Sequence, residues 1–293
     1  MARTVRSTPP LQSVPLWVSQ TAAFYRRHLR RALRDRTALF WSFVWPVLWY
    51  VFTVYLIVRP QLPADLDPAV VGVIKTIQAV TFGVFGAITV ALVGFAAELT
   101  RDIDEQRYRT FRAYPVRPTA DLAGRFLGGA TIGLAAFLCV LLVGWLDGAT
   151  IDPRNGWLST IGAVILAVIA LCGLCVTIAA AVAVWTDGRS QTNLVTLTIV
   201  MAAFFVTGFN GTQPWLLPDA VATGALNYVP NVLGTRLLLD VLVVADWHAA
   251  GVTPPTMPDP AVGFGLLVGY LAVACVVGAA IAVRRLHGGD VGA

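Results

Sequence analysis

Apolar residues in this chain gather into long runs separated by short polar stretches. A helix needs about 20 apolar residues to cross the hydrocarbon core of a bilayer, and six stretches qualify: 38–58, 77–97, 126–146, 161–184, 191–209 and 262–283. The pattern predicts an all-α membrane protein with six transmembrane helices, the fifth being the most polar. The implied layout is an N-terminal segment over 1–37 with an interfacial amphipathic helix, a six-span domain over 38–283 and a tail over 284–293.

Composition agrees with the pattern. The 293 residues are 57% hydrophobic and 13% charged, with a mean hydropathy of +0.73, whereas soluble domains carry roughly 25% charged residues. No polar stretch is long enough for a separate domain. The first apolar run begins only near Ala38, after an Arg-rich segment, so we expect a retained signal anchor rather than a cleaved leader.

Charge sets the orientation. Eight Arg precede residue 38, six lie in the 98–125 loop, one in 185–190 and two in the tail, while only Arg59, Lys75, Arg154 and Arg236 fall on the opposite side. The positive-inside rule then places both termini in the cytoplasm of a multi-pass protein, expected in the plasma membrane. Trp145 and Trp157 flank the third outer turn, and Trp41 and Trp185 mark inner ends, as an interfacial belt does. None of the six runs has a charge at its middle, which argues against an ion-coupled carrier.

Before the first span, Trp17, Phe24 and the Leu29–Leu33 region supply apolar surface beside Arg26, Arg27, Arg30, Arg31 and Arg34. This reads as a helix on the inner membrane surface with its Arg toward lipid phosphates, with His28 as a surface residue. A plain topogenic anchor has the same signature. Cys172 and Cys175 lie within an apolar run with no second Cys or His cluster to complete a metal site, so none is expected. His28, His248 and His287 are scattered, and no paired acids suggest an enzyme site.

The stretch RDIDEQRYRTFRAYPVRP, residues 101–118, stands apart as a charged island. Acids precede bases along it, Glu105 is spaced to pair with Arg109, and Ile103, Phe111 and Tyr114 share one face of a helix with Arg107 between them. A short amphipathic helix offered to a partner protein fits this pattern, and so does a solvated connector.

The order of parts decides between them. A surface helix, six spans and a loop with Glu105, Pro115, Val116, Leu122, Gly124 and Arg125 at fixed offsets resemble the type-2 (ABC-2) permease family of ATP-binding-cassette exporters. Gln106 and Arg107 stand where that family has Gly-Thr, and Arg125 replaces a Lys. A second likeness lies in GFNGTQPWLLPDAVATGALNYVPNVLGTRLLLD, carried by Pro214, Leu217, Pro218, Pro230 and Arg236. The run Leu237–Ala245 is too short to cross and reads as an outer half-helix, with Arg236 and Asp240 spaced to pair.

The resemblance implies a cytoplasmic coupling helix between spans 2 and 3, with Glu105, Arg107, Tyr108, Phe111, Arg112, Tyr114 and Pro115 meeting an ATPase subunit. It also implies a second permease subunit, identical or related, and export of a drug-like, lipid-like or glycan substrate. The alternative is an ATPase-independent carrier or channel. No Gly-x-x-x-x-Gly-Lys-Ser/Thr occurs and Lys75 is the sole Lys, so ATP and Mg are expected only through the partner chain. Membrane lipid is an expected partner and nucleic acid is not.

In the fifth span, Asn193, Thr196, Val200, Phe204 and Thr207 fall along one helical stripe. They line a translocation path or bond helix to helix. Gly124, Gly128, Gly129 and Gly133 are spaced for close helix packing. Asn210-Gly211-Thr212 is a glycosylation sequon so close to the membrane that it is expected to stay unmodified.

Overall fold

The computed structural model describes residues 15–218, 224–244 and 257–288, and every regular element among them is helical. The helices of seven residues or more are α1 (Leu16–Arg34), α2 (Phe40–Gln61), α3 (Pro68–Asp104), α4 (Arg107–Ala113), α5 (Pro118–Leu146), α6 (Trp157–Trp185), α7 (Arg189–Val206), α8 (Pro230–Leu242) and α9 (Pro260–Leu286). Five of them, α2, α3, α5, α6 and α9, are long and apolar enough to cross a membrane. The expected span at 191–209 forms α7, whose 18 residues begin with Arg189, Ser190, Gln191, Thr192 and Asn193. That polar first turn leaves it outside the group of five.

Local chemistry sets the boundaries. Pro68 and Pro260 occupy the first turns of α3 and α9, and the carboxylates of Asp67 and Asp259 each accept the N–H two residues ahead at 2.8 Å. In α2, Pro46 has no N–H to give, and the turn before it, Phe40–Val44, opens to π geometry. Trp41, Trp45, Trp49 and Phe52 run down this helix in successive edge-to-face contacts of 4.8–5.8 Å.

Helix α3 is the axis of the molecule, buried along almost its whole length. It is 37 residues long, or about 55 Å against a core of about 30 Å, so the predicted span 77–97 has extensions at both ends. Gly83 lies on Phe137 of α5, Gly144 of α5 on Ala79, and Gly86 on Pro46 of α2. A β-carbon at Gly124 would sit 2.4 Å from the Thr21 carbonyl of α1, one at Gly128 would strike His28, and one at Gly133 would strike Cys172 of α6. The glycine spacing of α5 thus serves close packing, and two of its members seat α1.

After α7 the chain turns back through four consecutive residues of positive φ, Gly208 (63°), Phe209 (53°), Asn210 (57°) and Gly211 (76°). The outer half-helix expected from Leu237 in fact starts at Pro230 and ends at Leu242, because Pro230 presets the first turn. Ala245 and His248 lie outside the described residues. At 13 residues, about 20 Å, α8 does not cross a bilayer, and its side chains from Asn231 to Leu239 are buried. Trp41, Trp145, Trp157 and Trp185 are all exposed.

Candidate functional site

The charged island is two pieces rather than the single helix expected over it. α3 runs on to Asp104, Gln106 takes a left-handed conformation (φ 53°, ψ 28°), and α4 starts afresh at Arg107. Ile103 therefore belongs to α3, and Tyr114 lies in extended backbone beyond α4, so the two do not share a helical face with Phe111. Gln106 occupies one of the two positions where the resemblance called for Gly-Thr, and its φ is the kind that favours glycine. Glu105 meets Arg107 rather than forming a turn of helix with Arg109.

Around this break the structure collects a buried ionic cluster. The Asp102 carboxylate, with no exposed surface, receives Arg27 at 2.6 Å, Arg125 at 2.6 Å, Arg31 at 3.0 Å and Arg107 at 3.4 Å. Glu98, one turn earlier on α3, contacts His28 Nδ1, Arg31 at 3.3 Å and Arg125 at 3.6 Å. Arg125 also donates to Asp121 at 2.6 Å, and Asp121 accepts from the Tyr108 hydroxyl at 3.1 Å and lies 3.5 Å from His287 Nε2. Five helices, α1, α3, α4, α5 and α9, are pinned at this one place.

Two readings of α1 change as a result. His28 is buried on Glu98 and is not a surface residue. The five Arg split by helical phase: Arg26, Arg30 and Arg34 are exposed, whereas Arg27 and Arg31 face the acids of α3. Burial lowers the Arg27 pKa, with Asp102 opposing the shift. Burial and then the Asp121 charge push the Tyr108 hydroxyl well above its ordinary value, so it stays a hydrogen-bond donor.

Below the cluster, α1 straps the island. Gln20 donates to the Pro115 carbonyl at 2.7 Å and accepts the Arg117 N–H at 3.0 Å, and Trp17 donates to Thr119 Oγ1 at 3.1 Å. Phe111 lies edge-on to Phe24 at 5.6 Å and to Tyr108 at 5.5 Å, under the Arg27 guanidinium. Of the residues singled out in the island, Tyr108 and Phe111 point inward and Arg112 is half-buried. Glu105, Tyr114 and Pro115 are exposed, Tyr114 by 66%.

The stripe on α7 faces α3. Thr192, Thr196, Val200, Phe204 and Thr207 are buried, and Asn193 sits half-buried at their edge. Thr196 and Thr207 donate to carbonyls of their own helix, at 2.8 Å to Thr192 and 2.6 Å to Ala203. Thr192 bonds across to Thr100 of α3 at 3.1 Å, and Phe204 lies 4.6 Å from the Phe85 ring.

A second polar centre forms where the reversed segment meets α3. Asn231 donates to Asn210 (2.9 Å) and Thr207 (3.0 Å), and Asn210 donates to the Thr81 carbonyl (3.3 Å). Thr81 donates to Thr212 at 2.8 Å. Arg236 donates to the Gly211 carbonyl at 2.9 Å and to Asn227 at 2.7 Å, while Asp240 meets Arg154 at 3.5 Å, in place of the Arg236–Asp240 pair that spacing suggested. Pro214 is buried and Pro218 exposed. Asp147 receives the Tyr50 hydroxyl (2.8 Å), the Tyr55 hydroxyl and Lys75 (3.3 Å) at this same end.

Sequence reasoning found the island and missed its foundation. Glu98/Asp102, Asp121/Arg125 and Arg27/Arg31 are each spaced by four, so each pair shares a helix face. That was the available signal, but it does not say that the three faces converge. Among the described residues no group of three or more His, Cys, Asp or Glu is placed to hold a metal ion.

A family model described as ABC-2 type transporter matches residues 19–217. No curated protein matches the chain.

Proposed function

The chain belongs to the ABC-2 type transporter family, and on that premise we propose that it is the transmembrane half of an ATP-driven exporter whose island docks an ATPase subunit. Membership makes it a permease component of the membrane. In our reading two permease subunits, identical or related, stand on two ATPase subunits in the plasma membrane. Both termini and the island are cytoplasmic, and α7 is the sixth crossing.

One observation carries the reading: the island is an exposed edge on a rigid base. Glu105, Tyr114 and Pro115 face outward, while Asp102, Arg125 and Tyr108 behind them are buried and bonded to α1, α3 and α5. A push on α4 is passed to these helices rather than absorbed in a loop. Such a push changes transport only when the nucleotide-bound motors hold the two permease states with different affinity. Asn193, Thr196, Val200, Phe204 and Thr207 form the α7 face that slides on α3 as the path opens, and the substrate is a drug-like, lipid-like or glycan molecule.

The test is a mild-detergent purification of the tagged chain from its own membrane, followed by mass spectrometry. We expect a nucleotide-binding subunit at near-equal stoichiometry whose recovery falls in Tyr114→Ala and Glu105→Arg, with melting temperature unchanged. A homogeneous protein with no such subunit across several detergents, transporting down an ion gradient in liposomes, would replace this reading with a secondary carrier.

A further inference from the structure

A groove of about 220 Å³ opens between α5, α6 and α9 beside the first turn of α1. Its walls are Leu122, Ala123 and Phe126 of α5, Val176 of α6, and Ala274 and Ala279 of α9. All three walls are helices of membrane-spanning length, which puts the groove within the part of the fold built to cross a bilayer.

The few polar groups in the lining mostly bond to one another or to the helix backbone. Trp17 and Thr119 bond to each other at 3.1 Å, and Thr177 donates to the carbonyls of Ala274 (2.9 Å) and Gly173 (3.1 Å). That leaves only the Cys275 thiol and the Thr119 O–H for a polar ligand, and the rest of the walls is apolar. A methylene chain loses no hydrogen bonds by entering, and because it comes from hydrocarbon rather than water what it gains is packing against the groove walls.

The rim supplies charge. His287 reaches Asp121 at 3.5 Å and stacks edge-on to Tyr108 at 5.2 Å, which brings the end of α9 level with the start of α5. Arg284 and Arg285 on that last turn, and Arg117 next to the start of α5, are exposed there. The one acid near this level on the α6–α7 turn, Asp187, is followed by Arg189, so the rim is basic.

We propose that this groove is a seat for one acyl chain of an anionic phospholipid of the inner leaflet, whose headgroup lies toward Arg117 and Arg284. Trp17 closes the cytoplasmic end, so the seated lipid also buttresses the start of α1, the helix that straps the island. The proposal rests on the orientation assigned above and not on transport.

Native mass spectrometry of the full chain, delipidated and re-exposed to phosphatidylglycerol or phosphatidylcholine, tests it without any ATPase. The expected result is a retained lipid, several-fold more from phosphatidylglycerol, that is lost in the groove-filling Ala123→Trp and Ala279→Trp variants. Arg117→Gln with Arg284→Gln should erase the preference while leaving retention. Undiminished retention in a filled variant that melts like the parent overturns the seat.

Where the filled variants do not fold, Cys275 replaces them as the reporter. It is exposed in the groove, whereas Cys172 and Cys175 are buried, and Cys139→Ala removes the remaining half-buried thiol. Phosphatidylglycerol should slow maleimide labelling of Cys275 several-fold against an equal addition of detergent. An unchanged rate overturns the seat, and equal protection by phosphatidylcholine overturns the anionic headgroup.

Discussion

At the scale of single residues, the molecule concentrates its charge where removal costs most. Asp102 holds Arg27, Arg31, Arg107 and Arg125 around one buried carboxylate. Removing one partner of a buried ion pair costs about 3–5 kcal/mol, because the remaining charges stay desolvated. Asp102→Asn is therefore expected to lower the detergent melting temperature far more than Asp104→Asn, whose carboxylate is exposed. Asp147 makes a milder demand. Burial works against its charge, but the Tyr55 and Tyr50 hydroxyls and Lys75 outweigh it and hold its pKa below the ordinary carboxylate value. A depressed folded pKa means a contribution present in full above about pH 4 and lost as pH falls through the folded value. Melting temperature followed against pH should thus drop more steeply in acid for the parent than for Asp147→Asn; parallel curves would count against this role. Neither cluster was legible from the chain, because each joins residues tens of positions apart.

At the scale of elements, hydrophobic runs were a good guide to where helices lie and a poor one to where they stop. The spans read at 126–146 and 161–184 lie inside α5 and α6, but α5 begins eight residues early, at Pro118. The extra turns carry Asp121 and Arg125, polar residues that a hydropathy window rejects and that the cluster neutralises. The same holds for α1, where the excess of Arg was legible and its division into an exposed stripe and a stripe facing the acids was not. The break between α3 and α4 was hidden because Gln106 gives no warning of a left-handed turn. A non-glycine residue pays roughly 1 kcal/mol for that conformation. Gln106→Gly should accordingly hold or raise the melting temperature, and Gln106→Val should lower it; the reverse order would mean that the turn is not the resting geometry.

At the scale of the whole molecule, family order was legible from motifs that were each only moderately specific, and the family match over 19–217 bears it out. The part that stayed hidden is how the ends of α1, α3, α4, α5 and α9 are fastened together, since convergence of five helices is a tertiary fact. One feature of α3 makes that fastening possible. Its π turn at Val90–Gly94 contains a surplus residue, and each residue of a regular helix advances the side-chain direction by about 100°. Counted in residues, Glu98 and Asp102 are one step out of phase with the α3 face that meets α5 higher up, and the π turn absorbs the step. Deleting Gly94, which is exposed and has nothing within 4 Å of its would-be β-carbon, should therefore straighten the helix and leave both acids aimed at their cations, with melting temperature nearly kept. Deleting Ala97 instead, in regular helix beyond the π turn, swings Glu98 and Asp102 about 100° away and should unfold this end. In α3 the tolerance for a lost residue is thus set by phase, and it is highest at the one place where the helix already carries one too many.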